Sequence, residues 1–396
     1  MREEERFLKN MSHRRYRRNQ IPVNDSVIIS PPDTTIIVVV AFLVVIGLMA
    51  IFSAGAPKCI MLGQNPASFA IKQLICVIIG AYGMNYFMNY DYKKLSTWAV
   101  PFAWFVIVML ALVDFTPLGV TVNGAKRWMM IGPMQFQPSE LTKPAVILLL
   151  ANAFHKDAVV FCERKIMRYF VPILLMVFLV FKQPNLSMVI LLGIVSVITY
   201  LNAGGSLKMF FTMMGTAILG LIIFIKPYQL SRIQIWRNPE IDPYGAGYNI
   251  IQSLVAFAAG GLWGVGYGNS KQKLAWLPEG HTDFIFAVIA EELGFLGCVL
   301  IIGLFLTFLQ RGIIVSSRCS NMFGKLLASG ITFSIGVQAF INMSVSSSFF
   351  PATGVPLPFI SYGGTSLLVS MCMVGVLLNI SKKRIRKIKN DAPRTR

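Results

Sequence analysis

Residues 277–294 of this chain run Leu277, Pro278, Glu279, Gly280, His281, Thr282, Asp283, and then pass into an apolar segment that carries Glu291, Glu292 and Gly294. A charged, turn-rich run feeding an apolar helix places Asp283 at a membrane face. At the edge of a low-dielectric slab the charged form of a carboxyl is disfavoured. Its pKa therefore rises, which suits it to taking a proton near neutral pH. The bland alternative is that Asp283, beside Thr282, simply caps the helix.

Cations occur in two long loops. In the first, Lys126, Arg127 and Trp128 form a cationic and aromatic cluster after the turn dipeptide Asn123-Gly124. The same residue types also anchor spans at headgroups. Just beyond, Pro138 suits a first helical turn. Glu140 and Lys143, three apart, share a helix face and can pair within the membrane, either as a structural ion pair or as a polar seam beside a cavity. The second loop carries Arg232, Arg237, Lys271, Lys273, Glu279 and His281. Cations of this kind can hold a pyrophosphate, especially near helix N-termini; ordinary surface charge is the better account of Arg237 and Lys273. A third element, Phe350 to Ser366, holds three prolines and cannot be a continuous helix. It is either a rigid connector or a re-entrant wall offering Ser361 and Tyr362 to a groove.

Other chemistries are excluded. His281 is the one histidine on its side of the membrane, so a zinc site is not expected. The glycine run Gly260–Gly268 lacks the spacing of a phosphate loop, and close backbone approach to a helix or headgroup explains it better. No Ser/His/Asp grouping appears, and a glycosidase would need a second carboxylate close to Asp283. A transferase whose pyrophosphate leaves already charged needs one base and cations.

These residues must be positioned by a membrane bundle. Of 396 residues 55% are hydrophobic and only 13% charged, far below the roughly 25% charged of soluble domains. The fold class expected is an all-α polytopic membrane protein of about ten transmembrane helices. The apolar stretches are 36–52, 69–88, 95–113, 138–153, 169–181, 186–201, 209–225, 284–308, 326–345 and 365–380. A span needs roughly 17–25 residues, so the fifth and sixth, flanking Gln183-Pro184-Asn185, are short enough to form a bent hairpin. Two long extracellular loops, 114–137 and 226–283, are joined by a shorter one at 346–364. Within the second, Tyr248–Ala259 reads as an amphipathic segment on the outer leaflet. Residues 1–34 and 382–396 read as cytoplasmic tails around a membrane domain at 35–381.

The net charge of +19 is mostly a positive-inside bias, with clusters at Arg14–Arg18 and Lys382–Lys389. It puts both termini in the cytoplasm and points to membrane lipids, with no nucleic acid. The six cysteines do not form a disulfide framework, since Cys59 alone faces outward. The small residues Ala54-Gly55-Ala56 mimic a cleavage site, but the long leading segment argues for a retained span.

The chain also resembles the SEDS family, the RodA- and FtsW-like polymerases of bacterial cell-wall glycan. The resemblance rests on Asn123 to Trp128, Phe136 to Glu140, Gln183-Pro184, Gly260-Gly261 with Gln272-Lys273, Leu277 to Phe284, Glu291 to Gly294 and Pro356 to Gly364. The short connection from Gly264 to Lys273 is more like the FtsW and SpoVE branch. The resemblance implies a processive glycosyltransferase acting on lipid II at the outer face of the cytoplasmic membrane, for division or sporulation. A class B penicillin-binding protein is the implied partner. Asp283 matches the family's essential acidic position, and Trp128, Glu140, Lys143 and Arg232 match positions of the substrate groove.

On this reading Asp283 is the base. Arg232, Lys271, Lys126 and Arg127 hold pyrophosphate, with His281, Thr282 and Ser361 lining the site. A divalent cation, magnesium or manganese, is the one cofactor contemplated, with no organic cofactor. Two departures stand out: Asn185 and Asn238 occupy places where the family often has Asp. The rival readings are a lipid II flippase, with Glu140, Lys143, Glu291 and Glu292 along a headgroup path, and a non-catalytic scaffold.

Overall fold

The computed structural model describes residues 26–122, 125–132, 134–155, 164–208, 210–212, 215, 227–245, 247–274, 276–382 and 384–387. They fall into two units, Met1–Pro32 with Lys382–Arg396, and Asp33–Ser381. In the first, β1 (Ser26–Ile29) pairs antiparallel with a C-terminal strand, Arg384–Lys387, so the described parts of the two tails are joined as a ribbon.

The larger unit is helical. Asp33 caps α1 (Thr34–Met61), accepting from the Thr35 and Ile36 N–H groups. Then come α2 (Ser68–Asn89), α3 (Leu95–Phe115), α4 (Thr142–Phe154), α5 (Arg164–Lys182), α6 (Leu186–Asn202), α7 (Pro227–Arg237), α8 (Tyr248–Gly260), α9 (Ile285–Arg318), α10 (Met322–Ser346) and α11 (Gly364–Ser381). Six helices of the described residues are long and apolar enough to cross a membrane: α1, α2, α3 with the 3-10 turn before it, α9, α10 and α11. Helices α4, α5 and α6 fall on the fourth to sixth apolar stretches and pack into the same body, α5 on α3 and α6 on α4 and α10. The stretch 209–225 lies largely outside the described residues.

Small residues set the closest crossings, as membrane helices require where no hydrophobic force drives association. Gly375 of α11 lies against the Met84 backbone of α2, and Gly80 and Gly83 of α2 lie against Met371 and Cys372 of α11. The described cysteines are all free thiols; Cys162 lies outside the described residues.

The loop at 114–137 is a small antiparallel sheet in the order β2 (Gly119–Val122), β3 (Ala125–Ile131), β4 (Met134–Phe136). The turn residues 123–124 lie outside the described residues, but Val122 and Ala125 are paired on either side of them. The β2–β3 ladder slips between Val120 and Thr121, leaving Arg127 as a bulged residue between Lys126, opposite Thr121, and Trp128, opposite Val120. The segment 347–363 enters the core: Leu357, Phe359 and Ile360 are buried, and the Phe359 ring meets that of Phe308. A Cβ added at Gly47, midway along α1, would stand 2.5 Å from the Phe359 carbonyl oxygen. Irregular backbone at that depth is tolerated only where protein surrounds it.

Candidate active site

The site is assembled from the start of α9, the re-entrant segment and β3. Asp283 lies one residue before the Phe284 cap of α9. Its main-chain carbonyl accepts from Asn342 Nδ2 at 2.8 Å, and the same amide donates to the Val355 carbonyl at 2.8 Å. One side chain of α10 thus holds both the acid and the segment facing it. Ser361 Oγ donates to the Thr282 carbonyl at 2.6 Å and accepts from the Leu357 N–H at 2.8 Å. The Tyr362 N–H reaches the His281 carbonyl at 3.1 Å. Phe359 is held at φ 66° inside this segment, a backbone conformation that packing must enforce on a bulky residue.

Two arginines approach the acid. A methyl placed on Gly354 would stand 3.6 Å from Asp283 Oδ2 and 3.7 Å from Arg127 Nη1. Carboxylate and guanidinium therefore border the same small space, which glycine leaves open. Arg127 is aimed there by the turn between α5 and α6: its Nε donates to the Gln183 carbonyl at 2.9 Å and Nη2 to the Pro184 carbonyl at 2.5 Å. These carbonyls follow the end of α5, where helix groups lack partners and a cation is favoured. Arg232 of α7 donates to the Ala352 carbonyl at 3.2 Å.

Burial pushes the Asp283 carboxyl from 3.8 up to about 7, with Glu279 raising it further and Arg127 and Arg232 pulling it down. Glu279 is bound by the Thr282 hydroxyl at 2.7 Å. His281 is buried against the rings of Phe69 and Tyr362. Burial and the nearby Lys58 charge lower its pKa to about 4, so it is neutral at physiological pH.

The remaining expected residues stand elsewhere. Lys126 turns its ammonium back to the Thr116 carbonyl at 2.7 Å, whereas Arg127, the bulged residue beside it, reaches the turn between α5 and α6. Trp128, opposite Val120, and Lys126, opposite Thr121, lie on different faces of the sheet, because cross-strand partners share a face and adjacent strand residues alternate. The Lys271 side chain is exposed, while its N–H caps Glu291 at 2.9 Å. Glu140 and Lys143 are buried as a 2.5 Å ion pair. Lys143 also donates to Gln338 at 2.7 Å, whose amide donates to the Pro356 carbonyl at 2.9 Å. The pair thus supports the re-entrant segment from behind. Gln338, Asn342 and Gln73, whose amide bonds Ser361 and Gly363, escaped the sequence reading; a polar amide in an apolar helix was the available signal.

Glu291 and Glu292 are also engaged. Glu291 accepts from Ser270 Oγ and from the Lys271 and Gln272 N–H groups, and Glu292 pairs with Lys273 at 3.0 Å and Ser53 at 2.5 Å. Next to them α9 breaks at Gly294 (φ 67°, ψ −165°). The glycine run serves that break: Phe295 N–H bonds the Gly261 carbonyl, and Val265 and Gly266 N–H groups bond the Glu291 and Glu292 carbonyls. Helix contact, the first of the two expected roles for the run, is what it makes. Asn185 and Asn238 act as caps, accepting from the Met188 and Glu240 N–H groups.

Among the described residues no three His, Cys, Asp or Glu side chains converge. Asp283 and Glu279 alone do not make a cage for a divalent cation, which would take its other ligands from the substrate.

Residues 33–386 match the cell cycle protein family of FtsW, RodA and SpoVE. The chain belongs to this family. Among its relatives, the probable peptidoglycan glycosyltransferase FtsW of Trichlorobacter lovleyi is 38% identical over 354 residues, covering 88% of this chain and 93% of that one. The stage V sporulation protein E of Bacillus subtilis is 37% identical over 357 residues, covering 89% and 97%. In three dimensions the chain is similar to one from a peptidoglycan synthase complex that coordinates polymerization and crosslinking, with TM-score 0.71, 27% identity, and 88% and 97% of the two chains covered. The rod shape determining protein RodA of Thermus thermophilus shares the fold at TM-score 0.66 and 24% identity, covering 88% and 96%. Membership and the six apolar helices make this a multi-pass membrane protein.

Proposed function

We propose that this chain is a peptidoglycan glycosyltransferase that joins lipid II units into glycan strands at the outer face of the cytoplasmic membrane, for cell division or sporulation. The observation that carries the reading is the Asp283 carboxyl, raised to about 7 and facing Arg127 across Gly354. Asp283 removes the proton from the acceptor sugar's hydroxyl as that oxygen bonds to the donor's anomeric carbon. The bond from that carbon to the pyrophosphate breaks, and polyprenyl pyrophosphate departs with the bonding pair. Arg127 and Arg232 stabilise the phosphate charge. A base with pKa near the working pH is half in its active form and still takes a proton readily.

The relatives named peptidoglycan glycosyltransferase support the chemistry, and the synthase complex supports a class B penicillin-binding protein as partner. The charge bias supports cytoplasmic termini. The flippase reading loses support because Glu140, Lys143, Glu291 and Glu292 are each committed to protein partners.

The test is strand formation from purified lipid II by wild type and Asp283→Asn, each with its transpeptidase. General-base loss costs about 10²–10⁴-fold. Full activity in a folded Asp283→Asn sample would rule out the mechanism, and silence of Asp283 substitutions would favour a scaffold.

A further inference from the structure

A cleft of about 330 Å³ lies between α1 and the 267–274 loop, lined by Phe52, Ser53, Ala56, Pro57, Tyr267 and Lys273 among others. None of these residues belongs to the Asp283 site. The Lys273 side chain is only 8% exposed, and its ammonium bonds Ser53 Oγ at 2.8 Å and Glu292 at 3.0 Å. An ammonium has three N–H donors, so those two partners leave one for the cleft. No acidic side chain lines the cleft; Glu292 lies beneath, committed to Ser53 and Lys273.

The approach to the cleft is apolar. Val38, Phe42, Val45, Met49 and Phe52 recur at helical spacing along one face of α1 and are 43–58% exposed. At about 1.5 Å per residue this stripe is about 21 Å long, longer than one leaflet's share of a roughly 30 Å hydrocarbon core. Phe52 belongs to both stripe and cleft. The remaining donor of a buried ammonium, at the end of an apolar track, matches a lipid with a phosphate head.

We infer that this cleft binds a glycerophospholipid from the leaflet on the Asp283 side, its phosphate on Lys273 and one acyl chain along the α1 stripe. The occupant is a bilayer lipid and not the reaction's lipid substrate. The site touches the segment that leads to Asp283, since the residues before Lys273 cap Glu291.

The test is native mass spectrometry of the full chain in detergent, titrated with phosphatidylglycerol, a diacylglycerol of equal chains, or undecaprenyl phosphate. Phosphatidylglycerol is expected to be retained about tenfold better than diacylglycerol, the effect of one charge-assisted bond. Ala56→Trp fills the cleft without touching the ion pair. It should abolish that retention while thermal unfolding stays within a few degrees of wild type. Equal retention of diacylglycerol, stronger retention of undecaprenyl phosphate, or retention unchanged by Ala56→Trp would each overturn the assignment. Loss of polymerase activity in Asp283→Asn does not bear on it, so the two readings fail separately.

Discussion

Ser361 donates to the Thr282 carbonyl at 2.6 Å across 79 residues of sequence, and this bond fixes the backbone one residue before the acid. Its hydroxyl also receives the Leu357 N–H. Ser361→Ala leaves a buried carbonyl and N–H unpaired, at a cost of about 1–3 kcal/mol each at most. Misplacing a reacting group by about 1 Å costs on the order of 10²-fold. Strand-forming turnover is expected to fall by ten- to a hundredfold while lipid II binding changes little, measured by strand length and lipid retention.

The acid's titration should follow its neighbours. Activity requires the deprotonated form, so it rises with pH through about 7. Glu279→Gln removes a charge that raises the Asp283 pKa, and the rising limb should move down by up to about one pH unit. Arg127→Gln removes one that lowers it, so the limb should move up. The folded pKa lies above the ordinary carboxyl value of 3.8. The stability tied to it is therefore full below about pH 4 and lost as pH rises through about 7. Asp283→Asn should melt higher than wild type at pH 8 and equally at pH 4.

Lys143→Met should strand Glu140 as a buried charge, a loss of about 3–5 kcal/mol. Adding Glu140→Gln should restore most of it, because the pair is removed as a unit. Thermal unfolding of both variants decides; a double variant no better than the single would contradict the pairing.

The break in α9 distinguishes two of its glycines. Gly294 sits at positive φ with the Leu262 and Gly264 backbones against it, whereas a Cβ at Gly303 meets nothing within 4 Å. Gly294→Ala should cost about 1–3 kcal/mol and lower polymerisation, and Gly303→Ala should be neutral or better by about 0.5–1 kcal/mol. Melting curves of the two give the contrast.

Much of this bundle is visible in the chain because apolar length and flanking charge are local signals. The Glu140–Lys143 pair is legible from spacing alone, and the prolines of 350–366 exclude a helix. What escaped depends on period or on distance in sequence. Read as a loop, Lys126 and Arg127 are one cluster; only the bulge that pairing with β2 forces at Arg127 divides them. Gln338 and Asn342 look like isolated polar residues in an apolar helix until the segment they bind is folded beside them. Gly294 looks tolerable in a helix, since nothing local reveals the glycine run that covers its break.

At the end of the bundle opposite Asp283, Asp33 caps α1, is held by Arg311 of α9 at 2.5 Å, and donates its N–H to Ser381, 348 positions later. α2 likewise lies against α11. During synthesis the first two helices therefore wait for these neighbours until α11 is made. A ribosome that stops short of Ser381 releases a bundle whose opening segments lack their closing contact.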